Sequence, residues 1–211
     1  MGKIKRGILG GFSGRVGNII GGAWKGIAYM RSMPLSVANP KTAAQVNQRS
    51  SFKACVALAQ LILTSTIKPL WDRFASGMSG FNEFVSLNVK SAYVDGVLQP
   101  AYLKISKGSL LPCPIDGLIA SAGGNNVELQ WTDNSGVGNA LATDKAYAVV
   151  INTATGAVIA SSGLVARNVE SLIIQNANFA LNDTVSCYLA FKSLDGYKVS
   201  DTEYAGGVVG A

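Results

Sequence analysis

The sequence predicts an α+β chain with three parts: a glycine-rich basic N-terminal arm or hairpin, a small helical unit, and a C-terminal all-β sandwich. Three observations predict it. The stretch "KIKRGILGGFSGRVGNIIGGAWKGIAYMRSMP" holds eight glycines and six Lys or Arg without one acid. Between Thr42 and Ala92 the apolar residues recur at helical spacing. From Leu118 onward they alternate with period two in short runs. The corresponding divisions are an arm over 1–40, helices over 41–94, a linker over 95–115 and a sandwich over 116–211.

The arm invites a phosphate-binding reading, because Gly11, Gly14 and Gly17 recur every third residue. It lacks both the GxGxxG pattern and the GK[ST] ending of a P-loop, and no amphipathic helix follows it. Extended chain with bulges and tight bends fits better, since glycine permits positive φ and close backbone approach. Trp24, Ile27 and Tyr29 are its anchors.

In "ANPKTAAQVNQRSSFKACVALAQLIL", Pro40 blocks helix before it, and Thr42 with Gln45 forms a capping-box pattern. Pro69 opens a short second helix through Leu70 and Trp71, and Ser79 caps a third carrying Phe81, Phe84, Val85, Val89 and Ala92 on one face. So small a unit is expected to pack on the arm or on a neighbour. Gly96, Pro100, Gly108, Pro112 and Pro114 then mark turn and linker chemistry, with "AYLKIS" a candidate strand. The change of periodicity across this segment predicts that 1–107 and 116–211 fold separately. Beyond it lie "NVELQWTD", "KAYAVVINT", "GAVIASS", "ESLIIQN", "DTVSCYLAFKS" and "KVSDTEYAG", separated by turn signals. About seven strands at this spacing predict a sandwich, centred on Trp131, with the Tyr188 hydroxyl bonded to nearby backbone.

Hydrophobic residues make up 48% and charged residues 14%, which excludes disorder over most of the length. This balance fits either a surface covered by neighbours or a β-rich domain of small residues. The net charge of +6 is divided: residues 1–107 carry +11 and residues 108–211 carry −5. Such asymmetry indicates regions facing different partners, or head-to-tail association of identical subunits. Cys55, Cys113 and Cys187 lack any CxxC spacing and the chain has no histidine, so a four-ligand zinc site is excluded by counting. The odd cysteine count points to a reducing compartment. No apolar run is long enough for a signal peptide or a membrane span. The chain is therefore expected to be made in the cytoplasm and to stay soluble until assembled.

Catalysis finds no support. Ser–His chemistry needs a histidine, and the acids fall in no recognisable motif and mostly flank turns. Asp133, Asn134 and Asp144 bracket the loop "DNSGVGNALATD", a place for Ca²⁺ but without EF-hand spacing. The sequence reading assigns no catalytic residue, cofactor or metal.

The C-terminal part resembles a fibronectin type III domain in "VELQWTD" and "CYLAFKSLDGYKVSDTEY", with Gly196 and Ser200 following Tyr188 near that family's spacing. Other Ig-like topologies stay open. The whole chain resembles an uncharacterised family common in Bacteroidota in its opening stretch, in "NPKTAAQVNQRSSF" and in "WTDNSG…ATDKAYAVV". That resemblance implies no function. "NPKTAAQVNQRSSFKACVALAQ" is also similar to a helix-opening segment of small proteins from phage and prophage structural operons, which implies a virion component made in the host cytoplasm.

Three functions follow as expectations. The first is a structural subunit of a phage or phage-derived particle, docking other protein subunits, identical or different, through its N-terminal half. The second is a non-catalytic, bacterial cell-associated binding or adhesion module. The third is nucleic-acid binding, with aromatics interleaved among bases. The candidate interaction residues are Lys3, Lys5, Arg6, Arg15, Trp24, Lys25, Tyr29 and Arg31.

Overall fold

A computed structural model describes residues 3–4, 11–24, 26–36, 39–113, 115–121, 126–175 and 183–208. The protein is α+β, and it divides into two compact units, Met1–Thr42 and Ala43–Ala211.

The first unit is a four-stranded antiparallel meander of β1 (Lys3–Ile4), β2 (Phe12–Val16), β3 (Ile19–Trp24) and β4 (Ile27–Ser32), in that order across the sheet. Gly17 opens the two-residue loop between β2 and β3 at φ 58°, the left-handed conformation that a hairpin turn of this length asks of its first residue. The expected arm is thus a regular sheet.

The second unit begins with α1 (Ala43–Leu61), which starts directly after Thr42. Its inward stripe is Ser51, Cys55, Leu58 and Ala59, spaced four, three and one apart as one helical face requires. A π-helical turn, Leu63–Ile67, leads into α2 (Lys68–Trp71), where Pro69 sits in the first turn. The hydroxyl of Ser79 accepts a bond from the Asn82 N–H (3.3 Å) and caps α3 (Gly80–Ser91). A hairpin of β5 (Tyr93–Val94) and β6 (Val97–Leu98) follows.

Seven strands form two antiparallel sheets. In one, β11 (Ser171–Gln175), β8 (Asn126–Trp131) and β7 (Ile115–Ser121) lie in that order. In the other the order is β10 (Val158–Ala166), β9 (Lys145–Asn152), β12 (Thr184–Lys192) and β13 (Glu203–Val208). Val127, Leu129 and Trp131 of β8, with Leu172 and Ile174 of β11, meet Ala148, Val150, Cys187 and Phe191 of the larger sheet. The opposite face of the larger sheet, through Val149, Ile151, Tyr188 and Ala190, joins one core with Leu58, Ile62, Ile67, Leu70 and Phe84 of the helical layer. The unit is therefore three layers: helices, four strands, three strands. Each fully buried Leu, Ile or Phe at these interfaces is worth about 1.5–3 kcal/mol.

This layering corrects the expected partition. The helices pack on the sandwich of their own chain, and residues 43–211 form one compact unit. The intervening segment joins the layers. "AYLKIS" lies in no strand: Pro100–Tyr102 is a 3₁₀ turn and the residues after it are irregular. The physical reason is that side chains take the backbone bonds that a sheet would have taken. Buried Asn88 accepts from the Lys104 N–H (2.8 Å) and donates to the Lys104 carbonyl (3.0 Å). The Trp71 indole donates to the Ile105 carbonyl (2.7 Å), and the Ser106 hydroxyl donates to the Ser200 carbonyl (2.7 Å). The Tyr188 hydroxyl donates to the carbonyl of Pro100 (2.8 Å), so its partner lies in this segment, 88 residues away, and not on nearby backbone.

Candidate functional site: the N-terminal sheet

Strand register decides which side chains of β2–β4 share a face. Arg15 pairs with Ile20, and Ile20 with Arg31. This places two guanidinium-bearing side chains and one isoleucine in a row across three strands. The arginines are two strands apart, roughly 10 Å at ordinary strand spacing. Two residues along the same face, Gly22 pairs with Tyr29, and two further along, Trp24 pairs with Ile27. The Tyr29 ring lies against Gly22: a Cβ there would stand 2.9 Å from its ring and hydroxyl, so only glycine lets the ring lie this close. One face therefore gathers Arg15, Arg31, Tyr29 and Trp24.

This sheet exposes its apolar groups. Trp24 is 65% exposed, Ile27 67% and Met30 70%, and every residue of β4 is exposed. Among its described residues only Gly21 is buried. Arg15 donates locally to the Gly17 carbonyl (3.0 Å), which stiffens the turn.

Four of the eight candidate residues are thus brought onto one face: Arg15, Trp24, Tyr29 and Arg31. Lys3 contributes its backbone to β1, in register with Ser13. Lys5, Arg6 and Lys25 lie outside the described residues.

The loop considered for Ca²⁺ is built around a guanidinium instead. Arg167 is fully buried and pairs with fully buried Asp144 at 3.1 Å. It also donates to the Asn134 side-chain oxygen (2.7 Å) and the Leu111 carbonyl (3.0 Å). Its guanidinium lies 4.1 Å over the Phe191 ring, and its carbonyl accepts the Trp131 indole N–H (2.8 Å). Ser135, donating from its hydroxyl and its backbone N–H, holds the Asp133 carboxyl below its ordinary range. No group of three or more His, Cys, Asp or Glu suited to a metal occurs among the described residues.

Sequence reasoning missed Arg167 and Asn88. Both read as surface residues by type, and only their partners, distant in sequence, show otherwise. Burial pushes the Cys55 thiol up to about 11 and the Cys187 thiol up to about 12. An apolar groove of about 330 Å³ between α1, the β5–β6 hairpin and the β9–β10 end is lined by residues such as Ala54, Leu58, Leu61, Leu98, Ile151 and Val158, with no acid or base in its lining. Among the described residues no single helix is long and apolar enough to cross a membrane.

Comparison with curated proteins finds no match. The model of a "Family of unknown function (DUF6266)" matches residues 11–206, from β2 of the N-terminal sheet into the last strand of the sandwich, and the chain belongs to that family.

Proposed function

We propose that the chain is a non-catalytic assembly subunit of a phage or phage-derived particle, held in place through its N-terminal sheet. The observation that carries this reading is that sheet itself: four strands with one buried described residue, exposed Trp24, Ile27 and Met30, and a segment of six bases without an acid. A sheet gains stability by covering an apolar face, and this one has apolar groups left to cover. The likeness to small phage and prophage structural proteins supplies the kind of particle.

The sandwich is read as fibronectin type III-like. Its first, second and fifth strands make one sheet, and its third, fourth, sixth and seventh the other. In a constant-type immunoglobulin sandwich the fourth strand joins the first group. Here it pairs with the third, and that supports the fibronectin-like reading over the constant-type one. Such a domain suits an outward-facing or neighbour-contacting position.

The test is deletion of residues 2–33, with incorporation into particles followed by gradient sedimentation and gel analysis. The truncated chain is expected to be missing from particles that take up the full chain. Normal incorporation would remove the physical basis of this reading. Capsid, portal or tail genes beside the coding sequence are the genomic counterpart of the same test. A second reading is favoured by one observation: Arg15 and Arg31 share a face with Tyr29 and Trp24, as in a stacking surface for single-stranded nucleic acid. Salt-dependent binding of a short oligonucleotide, lost in Trp24→Ala/Tyr29→Ala, would favour it.

A further inference from the structure

Resting on the reading of the N-terminal sheet as the assembly surface, we propose that its partner is the outer face of the β7–β8–β11 sheet in a second copy of the chain, so that copies join head to tail. The first argument is coverage. The β10–β9–β12–β13 sheet contributes to both core clusters, and its two faces are occupied by the helices and by the smaller sheet. On β8 and β11 of the smaller sheet the core residues lie on the inner face. Its outward positions are Asn126, Glu128 and Gln130 on β8 and Ser171, Ile173 and Gln175 on β11, aligned in rows by register. Ile173, directly opposite Glu128, is 56% exposed.

The second argument is charge. The segments 115–121, 126–131 and 170–175 contain Asp116, Glu128 and Glu170 and no Lys or Arg. Residues 1–33 contain six bases and no acid. Of the charged side chains described on the two faces, Arg15 and Arg31 stand on one and Glu128 on the other, which is the complementarity that selects one partner over another. The same signs decide the symmetry. Two N-terminal sheets meeting about a two-fold axis would set Arg15 and Arg31 against the same two arginines. Docking on the acidic sheet of the next copy sets them against acids, and a contact of that heterologous kind builds rings or open chains.

The third argument is chemistry within the surfaces. The row Arg15–Ile20–Arg31 puts an apolar side chain between two cations. The row Glu128–Ile173 puts an apolar side chain beside an anion, and the Gln130 amide donates to the Glu128 carboxylate (3.2 Å). Two sheet faces stacking about 10 Å apart, as sheets do, can join isoleucine to isoleucine while the guanidinium groups reach the carboxylate.

Sedimentation velocity of the full chain, over a range of protein and salt concentrations, tests this with two variants. Glu128→Lys/Ile173→Lys alters the acidic face, and Arg15→Glu/Arg31→Glu alters the basic one. Circular dichroism and thermal unfolding check the fold, and Glu128→Lys alone replaces the double variant should that one unfold. The wild-type chain is expected to self-associate, less so as salt rises. Each variant alone is expected to associate at least tenfold more weakly. Mixed in equal amounts, they are expected to form a dimer and stop there, because only one intact basic sheet and one intact acidic face can meet. A chain that stays monomeric at every concentration overturns the inference, as does a mixture that gives no dimer. If the arginine variant loses association and the acidic-face variant keeps it, the sheet docks elsewhere; the inference falls and the assembly reading stands. Binding of a short oligonucleotide that depends on the arginines, without self-association, overturns the inference in favour of nucleic acid. The assembly reading itself is judged separately, by incorporation of the 2–33 deletion.

Discussion

Arg167 is held by an acid, an amide, a carbonyl and an aromatic ring, and its side chain and that of Asp144 are fully buried. A buried pair of this kind is costly to break from one side, because the remaining charge has no water to turn to. Asp144→Ala is expected to lower stability by about 3–5 kcal/mol in urea unfolding, and Asp144→Ala/Arg167→Met to recover most of that loss. A single variant within 1 kcal/mol of wild type, on the order of an ordinary surface change, would mean that the ion pair does not hold the loop. The thiols give a second expectation. Burial raises the Cys55 and Cys187 pKa values to about 11 and about 12, so both stay protonated at neutral pH, and the thiolate is the reactive form. The native chain is expected to react slowly with an aromatic disulfide reagent and to yield three thiols once denatured, since all three cysteines are buried and none is in a disulfide. Full reaction in the native state would contradict it. At this scale apolar residues were legible and polar ones were not. Trp131, on an alternating strand, was read as core, and it is 2% exposed in edge contact with Phe191. Arg167 and Asp144 are 23 residues apart, and nothing local marks either as buried.

At the scale of elements, the helices, the Ser79 cap and the seven strands follow from period and punctuation, so they were legible. What period two concealed was the second covered face. In β12 the residues Val185 through Phe191 are all buried, and β9 is buried without a break from Ala148 to Asn152. A strand with both faces covered reads as an apolar run instead of an alternation, and "VSCYLAF" is such a run. The linker was misread for a related reason: proline and glycine mark turns, yet cannot tell a loose tether from a segment fixed by Asn88, Trp71 and Ser106. It follows that residues 109–211 alone should fail to fold cooperatively and should bind an apolar dye, since Val149, Ile151, Tyr188 and Ala190 would face water. Residues 43–211 should unfold in one cooperative transition. A cooperative, dye-free 109–211 would show that the helical layer is dispensable.

For the whole molecule, the charge division was legible from the sequence. The sheet geometry that sorts Arg15, Tyr29 and Arg31 onto one face was not, because register depends on where the turns fall. Stability and assembly should therefore separate. Among the described residues the two hydrophobic cores are built from Cys55 onward. Deleting residues 2–33 is expected to leave the unfolding free energy of residues 43–211 within about 0.5 kcal/mol of the full chain, as for changes outside any core. The same deletion is expected to abolish association. In the full chain, raising salt should weaken association as charges are screened over about 8–10 Å. Glycine makes the cost of ordering the N-terminal sheet high, at roughly 1–2 kcal/mol of backbone entropy per residue. On the proposed assembly reading, burying the exposed Trp24, Ile27 and Met30 against a partner would offset that cost. Association that persists unchanged in the deletion, or that strengthens with salt, would move the contact surface away from the basic sheet and onto an apolar patch of residues 43–211.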